Sequence, residues 1–283
     1  MMQKLLWFLI FIQFSVSASE IDQILGGMSR GERFYLSEFF KACIREDHFG
    51  YTIFFDKPVS ASGFFIKCPS REIPAPYLNK LMSHGWKIWK KYEPLFQHPN
   101  YIFCEEIEDF FDSDLNRRIK SCHIYLINKN ALSHLLQKNN SIFSEHLGQE
   151  FSPENLLHKI ETTRTLTPHL NDNEALLGIV LGYGIRSSFK FADMHTIGKI
   201  PEDHTDWTPI ISGQPRGCKI NPVIFIGDQN SEEDQSISRH YSSQIDEIWN
   251  VYRDKEFLIK VIRQLCATTR EDVGRKSLNI FPQ

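Results

Sequence analysis

The chain has no basic surplus. Its 283 residues carry 32 Lys and Arg against 35 Asp and Glu, a formal charge of −3. A protein that grips a phosphate backbone normally shows a basic footprint, so no nucleic-acid partner is expected. None of the six cysteines sits in a C-x-x-C spacing, which excludes a thioredoxin-type redox motif and a zinc ribbon. No H-E-x-x-H helix of a zinc protease occurs. No cofactor fingerprint is present either, and no cofactor is expected. Beyond the N-terminus no apolar run approaches the ~18 residues that mark a membrane span, so no transmembrane segment is expected there. Internal repeats and a linker are also missing.

What is present begins with an export pattern. Lys4 is a minimal positive region, Leu5–Phe14 an apolar core of ten residues, and "SVSAS" places Val16 and Ala18 at the −3 and −1 positions of a cleavage site. That layout predicts a secretory signal peptide over residues 1–18, cleaved after Ala18. Ten apolar residues fall well short of the ~20 of an uncleaved anchor. Removing 18 of 283 residues leaves 265, read as one α+β domain over 19–283. Its expected location is the bacterial periplasm or the medium.

The pattern predicts one small mixed sheet of about five short strands, packed with amphipathic helices and closed by a helical C-terminus. Ser29 and Glu32 form a capping box ahead of a helix. Residues 77–96 repeat apolar side chains at Leu78, Leu81, Met82, Trp86, Trp89 and Tyr92, the stripe of an amphipathic helix. Within it "WKIWKKY" interleaves aromatics with Lys87, Lys90 and Lys91. Helical spacing turns the aromatics to the core and the lysines to water. "YTIFF" (51–55), "GFFIK", "YIFCEEIE" (101–108), "KSCHIYLIN" (120–128) and "NPVIFIGD" (221–228) read as strands from their β-branched and aromatic content. Two helices are expected from Ser231 onward, and residues 192–219 read as a long loop.

"ALLGIVLGYG" (175–184) is too short for a membrane, and its glycines fall inside a helical pattern, which excludes a phosphate cradle. It reads as a buried helix, with Gly178, Gly182, Ile185 and Phe189 on a face that another backbone approaches closely.

Candidate functional residues are few. His195 and His204 lie with Asp193, Asp203 and Asp206 in the expected loop. These residue types ligate transition metals, but the spacing matches no metal signature. Cys122 and His123 are adjacent, which on a strand sends them to opposite faces and rules out mutual activation. An even cysteine count in an exported chain permits three disulfides among Cys43, Cys68, Cys104, Cys122, Cys218 and Cys266. A symmetric hairpin centred on Ser113 makes Cys104 and Cys122 cross-strand neighbours that can bridge. "YTIFFD" and "VIFIGD" both end in an aspartate at a turn. Run parallel and adjacent, they bring Asp56, Lys57 and Asp228 to one sheet edge, where ligands favour open sheets.

Three stretches together, "YTIFFDKPVS", "ALLGIVLGYG" and "NPVIFIGDQNSEE" (221–233), resemble a family of uncharacterised exported proteins of chlamydia-like and other intracellular bacteria. The resemblance runs over most of residues 35–266. The family pattern places Gly before Asp-Lys-Pro, where Phe55 stands here. The resemblance implies export and a shared fold, and no chemistry. The absence of a catalytic spacing favours a non-enzymatic binding or interaction protein, with a protein or envelope partner. The alternatives are a metal-dependent or other hydrolase with a site assembled from loops, and an envelope protein held by disulfides.

Overall fold

A computed structural model describes residues 17–67, 76–112, 117–197, 207–211 and 220–267. The chain is α+β, as its pattern predicts, with a helical C-terminus. It opens with α1 (Ala18–Gly27), α2 (Arg30–Glu46) and α3 (Phe49–Phe54). Then come β1 (Val59–Lys67), α4 (Pro76–Tyr92), β2 (Tyr101–Asp112) and β3 (Arg117–Asn128). Helices α5 (Lys129–Lys138), α6 (Asn140–Leu147), α7 (Pro153–Thr163), α8 (Glu174–Val180) and α9 (Ile185–Ile197) follow. The last elements are β4 (Trp207–Ile211), β5 (Ile224–Asp228), α10 (Glu232–Ser242), α11 (Ile245–Tyr252) and α12 (Phe257–Cys266).

Among the described residues, five strands form two antiparallel sheets instead of one: β1-β3-β2, and the pair β4-β5. The central strand β3 is apolar on both faces, as a strand covered on both sides must be. Cys122, Ile124 and Leu126 enter one core with α1 to α4 and α10 to α12. Tyr125 and Ile127 enter a second core with α5 to α8. The sheet is therefore the middle of three layers. Residues 109–112, acidic, and 117–119, basic at Arg117 and Arg118, continue the two strands, with Asp109 opposite Lys120 and Asp112 opposite Arg117. Their charge order is cross-strand complementarity.

Several expectations need correction. Residues 51–54 of "YTIFF" lie in the helix α3, whose six residues are all buried, and Phe55 follows it as the C-cap. A short apolar run cannot by its pattern be told apart from a strand, and here enclosure by neighbouring elements favours the helix. A Cβ on Gly50 would stand 2.7 Å from Ile248 Cγ2, so α11 lies close against it. "ALLGIVLGYG" is a helix that stops. α8 ends at Val180, and Gly182 and Gly184 turn the chain through φ of +79° and +87° before α9 starts. The close approach at Gly178 is real, since a Cβ there would lie 2.7 Å from Ser188 Oγ on α9. The expected loop 192–219 holds the end of α9 and all of β4.

Candidate ligand-binding site

The three residues expected at one sheet edge do not share one. Without a strand at 51–55 there is no parallel pair, and β5 runs antiparallel to β4. Asp56 Oδ1 lies 2.8 Å from His240 Nε2 near the end of α10. Asp228 pairs with Arg186 at 3.2 Å, and its backbone N–H donates to Asp234 near the start of α10. Six residues, about 9 Å of helix, separate those two anchors. Lys57 is fully enclosed, at 1% exposure, and donates to the carbonyls of Val59 and Leu181. Burial pulls its amine down to about 7. Leu181 caps the C-terminus of α8, so Lys57 acts as a helix-end cation.

Two half-buried titratable groups, Asp47 and His48, are adjacent in the chain, and His48 feels the charge of Lys57. Burial raises the Asp47 carboxyl to about 6, although Ser62 Oγ donates to it at 2.6 Å. Burial, together with the Lys57 charge, lowers His48 to about 4. The two act oppositely on stability. A raised acid gives stability that is lost as pH climbs from about 4 to 6, and a lowered histidine gives stability that is lost as pH falls from about 6.5 to 4. Relative to the parent, Asp47→Asn is expected to make the melting temperature climb more steeply from pH 4 to 6.5. His48→Asn, which tolerates the left-handed φ of 66° there, is expected to make it fall. Thermal unfolding at four pH values checks both. Parallel curves for all three proteins would contradict the pairing.

The cysteines form no bridge among the described residues. Cys43, Cys104, Cys122 and Cys266 are buried free thiols, and burial pushes the last three up to about 12. The expected Cys104–Cys122 bridge is excluded by register. Cys104 faces Tyr125 and Cys122 faces Ile107, a displacement of three residues. An odd displacement sends side chains to opposite faces, and the two thiols enter different cores. Cys68 and Cys218 lie outside the described residues, as does His204. His195 falls on α9, where only the backbone is described. Among the described residues no group of three His, Cys, Asp or Glu is placed to hold a metal ion.

Contrary to the expectation of no catalytic spacing, two such spacings do occur in the chain. These and a third hydrolase-like arrangement fail on geometry. Gly27-Met-Ser-Arg-Gly31 matches a nucleophile-elbow spacing, but it joins two helices, and Ser29 serves as the cap of α2. Ser187 and Lys190 match S-x-x-K, but Ser187 is 1% exposed and its hydroxyl donates to buried Asp234. Ser121 Oγ and Glu108 Oε2 lie 3.0 and 3.1 Å from His123, both on the same Nε2 atom. A catalytic triad uses the two ring nitrogens separately.

The site that the fold does build lies between α4 and the edge strand β2. Trp86 and Lys90, one helical turn apart, face the strand. Tyr101, Phe103 and Glu105 alternate onto the face that meets them. Trp89 stands behind, 4.7 Å from Phe103 and stacked on Phe96 at 5.8 Å. Trp86 Nε1 and Lys90 Nζ both donate to the Glu105 carboxylate, the second at 2.6 Å. Arg164 ends α7 in the left-handed region, and its carbonyl accepts Glu105 N–H at 3.1 Å, which closes this part of the sheet edge. Glu93 holds His98 at 3.1 Å and Arg164 at 3.6 Å.

Together these groups line a cleft of about 530 Å³ with an aromatic wall of Trp86, Phe96, Tyr101 and Phe103. Lys90 and Arg164 are nearly half exposed at its rim, while Glu93 and Glu105 are more enclosed. Lys90 has two N–H donors beyond its Glu105 bond, and the Arg164 fork is engaged only at 3.6 Å. The sequence reading of "WKIWKKY" placed its tryptophans in the core, and both are buried. It missed the cleft, because the facing wall comes from a strand and a helix end far along the chain.

No known family model matches the chain, and no curated protein or solved structure matches it either.

Proposed function

We propose that this is a non-catalytic binding protein that holds a small amphipathic anion, with a planar or apolar body and a carboxylate-like head, in the cleft between α4 and β2. The observation that carries this reading is the aromatic wall topped by two cations with spare donors. A cleft of 300–1,000 Å³, mostly apolar with a few placed polar groups, is the usual form of a small-molecule site. The Glu105 carboxylate already accepts from Trp86 and Lys90, and Glu93 lies in ion-pair range of His98 and Arg164, so the donors left for an incoming anion are those at the rim. Export to the periplasm or medium is part of the proposal. It is supported by the signal pattern of residues 1–18 and by the resemblance to exported proteins. Cleavage after Ala18 would remove Ser17, the cap of α1, at a cost of about 1 kcal/mol. Ile21 and Leu25 would still anchor the helix in the core.

A titration with 2-naphthoate, read by tryptophan fluorescence, tests the site. The expected result is saturable binding that neutral 2-naphthamide does not match. Lys90→Gln and Arg164→Gln should each weaken it about tenfold, the size of a charge-assisted hydrogen bond. Equal affinity for the amide and the acid would overturn the anionic head.

A further inference from the structure

Glu93 opens the short turn that follows α4, and its Oε1 is buried without a hydrogen bond among the described residues. A buried carboxylate oxygen needs a positive partner. Two groups compete for that role on the same atom. His98 Nε2 stands 3.1 Å from Oε1, and Arg164 Nη1 stands 3.6 Å from it. All three residues line the cleft between α4 and β2.

The His98 ring has one nitrogen already assigned. Nδ1 lies 2.9 Å from the Tyr101 carbonyl oxygen, which can only accept, so Nδ1 carries a hydrogen. A neutral ring then keeps a bare lone pair at Nε2 and has nothing to donate to Glu93. A second proton, on Nε2, turns the contact into an ion pair. The His98 side chain is 8% exposed, so water does little for an imidazolium there and Glu93 must hold it. The other charges around the ring have partners. Lys90 is paired with Glu105, and Glu161 on α7 with Lys129. Glu106 accepts from Leu166 and Thr167, and Cys104, which feels both Glu93 and Arg164, stays a neutral thiol.

We infer that His98 is a positioning residue that sets, by taking up a proton, whether Arg164 is free for the ligand. Neutral His98 leaves Arg164 as the cation for Glu93. Protonated His98 takes over Glu93, and the guanidinium is released to the rim. Anion binding is therefore tightened by acid. The inference rests on the reading of this cleft as an anion site.

Titration with 2-naphthoate between pH 5.5 and 8 tests it, since a carboxylic acid is ionised across that range. The parent should bind about tenfold more tightly at pH 5.5 than at pH 8, the size of one charge-assisted hydrogen bond. His98→Asn keeps an N–H for the Tyr101 carbonyl and loses the second proton site. It should hold the parent's pH 8 affinity throughout. Glu93→Gln releases Arg164 at every pH and leaves the enclosed imidazole without a charge partner. At pH 8 it should bind about tenfold more tightly than the parent, and it should add nothing in an Arg164→Gln background. Three results overturn the inference and leave the anion site standing: a parent affinity that does not change with pH, a parent-like slope in His98→Asn, or a Glu93→Gln gain that survives without Arg164. No saturable binding at any pH overturns the anion site and the inference together.

Discussion

Gly182→Leu is expected to unfold roughly 10 °C below the parent. Two costs combine. Gly182 has φ +79°, where a leucine is strained by about 1–3 kcal/mol. A Cβ there would also stand 2.3 Å from Tyr241 Oη, which donates to the Gly182 carbonyl at 3.2 Å and is 4% exposed. Displacing that ring from a close-packed core adds about 1–3 kcal/mol. For a domain of this size each kcal/mol moves the midpoint by ~2–4 °C. The collision and the strain can be separated. Gly182→Ala should recover part of its loss when Tyr241→Phe removes the hydroxyl, because the next ring atom is 3.6 Å away and Pro58 Cδ 3.5 Å. No recovery in the double variant would mean that the hydroxyl is not what the added Cβ meets.

Gly85→Ala should cost about 3 kcal/mol, near the upper end of overpacking penalties. Its direction opposes helix propensity, which by itself favours alanine over glycine by ~1 kcal/mol. The reason is the crossing of α2 and α4. A Cβ on Gly85 would lie 2.2 Å from Phe39 Cβ and 2.8 Å from the Tyr35 carbonyl oxygen. Neither is the loose end of a side chain, so the helices must move apart. Trp86 is the next residue, so the same substitution should also weaken 2-naphthoate. Denaturant unfolding measures the first effect. A midpoint that is unchanged or raised would show that the helices do not meet at Gly85.

These two glycines show what was legible in the chain. The Ser29 capping box, the amphipathic stripe of α4 and the hairpin β2–β3 were readable, because each rests on neighbours within one or two turns. The α+β class follows from them. Gly182 was recognised as a packing position for the wrong reason. Its helical phase looked continuous, and only the left-handed backbone at Gly182 and Gly184 reveals two helices. "YTIFF" was misread because burial on every side erases the alternation that distinguishes strand from helix. That error removed the premise for grouping Asp56, Lys57 and Asp228. The cysteine bridge failed on a register shift that the charges along the two strands encode, since Asp109 faces Lys120 and Asp112 faces Arg117. The cleft between α4 and β2 was illegible because Trp86, Phe103 and Arg164 meet only through tertiary packing.

The central claim is that the cleft between α4 and β2 holds an amphipathic anion by its aromatic wall and its two rim cations. A crystal structure of the protein with 2-naphthoate tests it most directly. The account predicts the ring system against Trp86 and Phe103, with the carboxylate in hydrogen-bond range of Lys90 Nζ and the Arg164 guanidinium. An empty cleft at saturating ligand, or a naphthoate whose carboxylate points away from both cations, would contradict it.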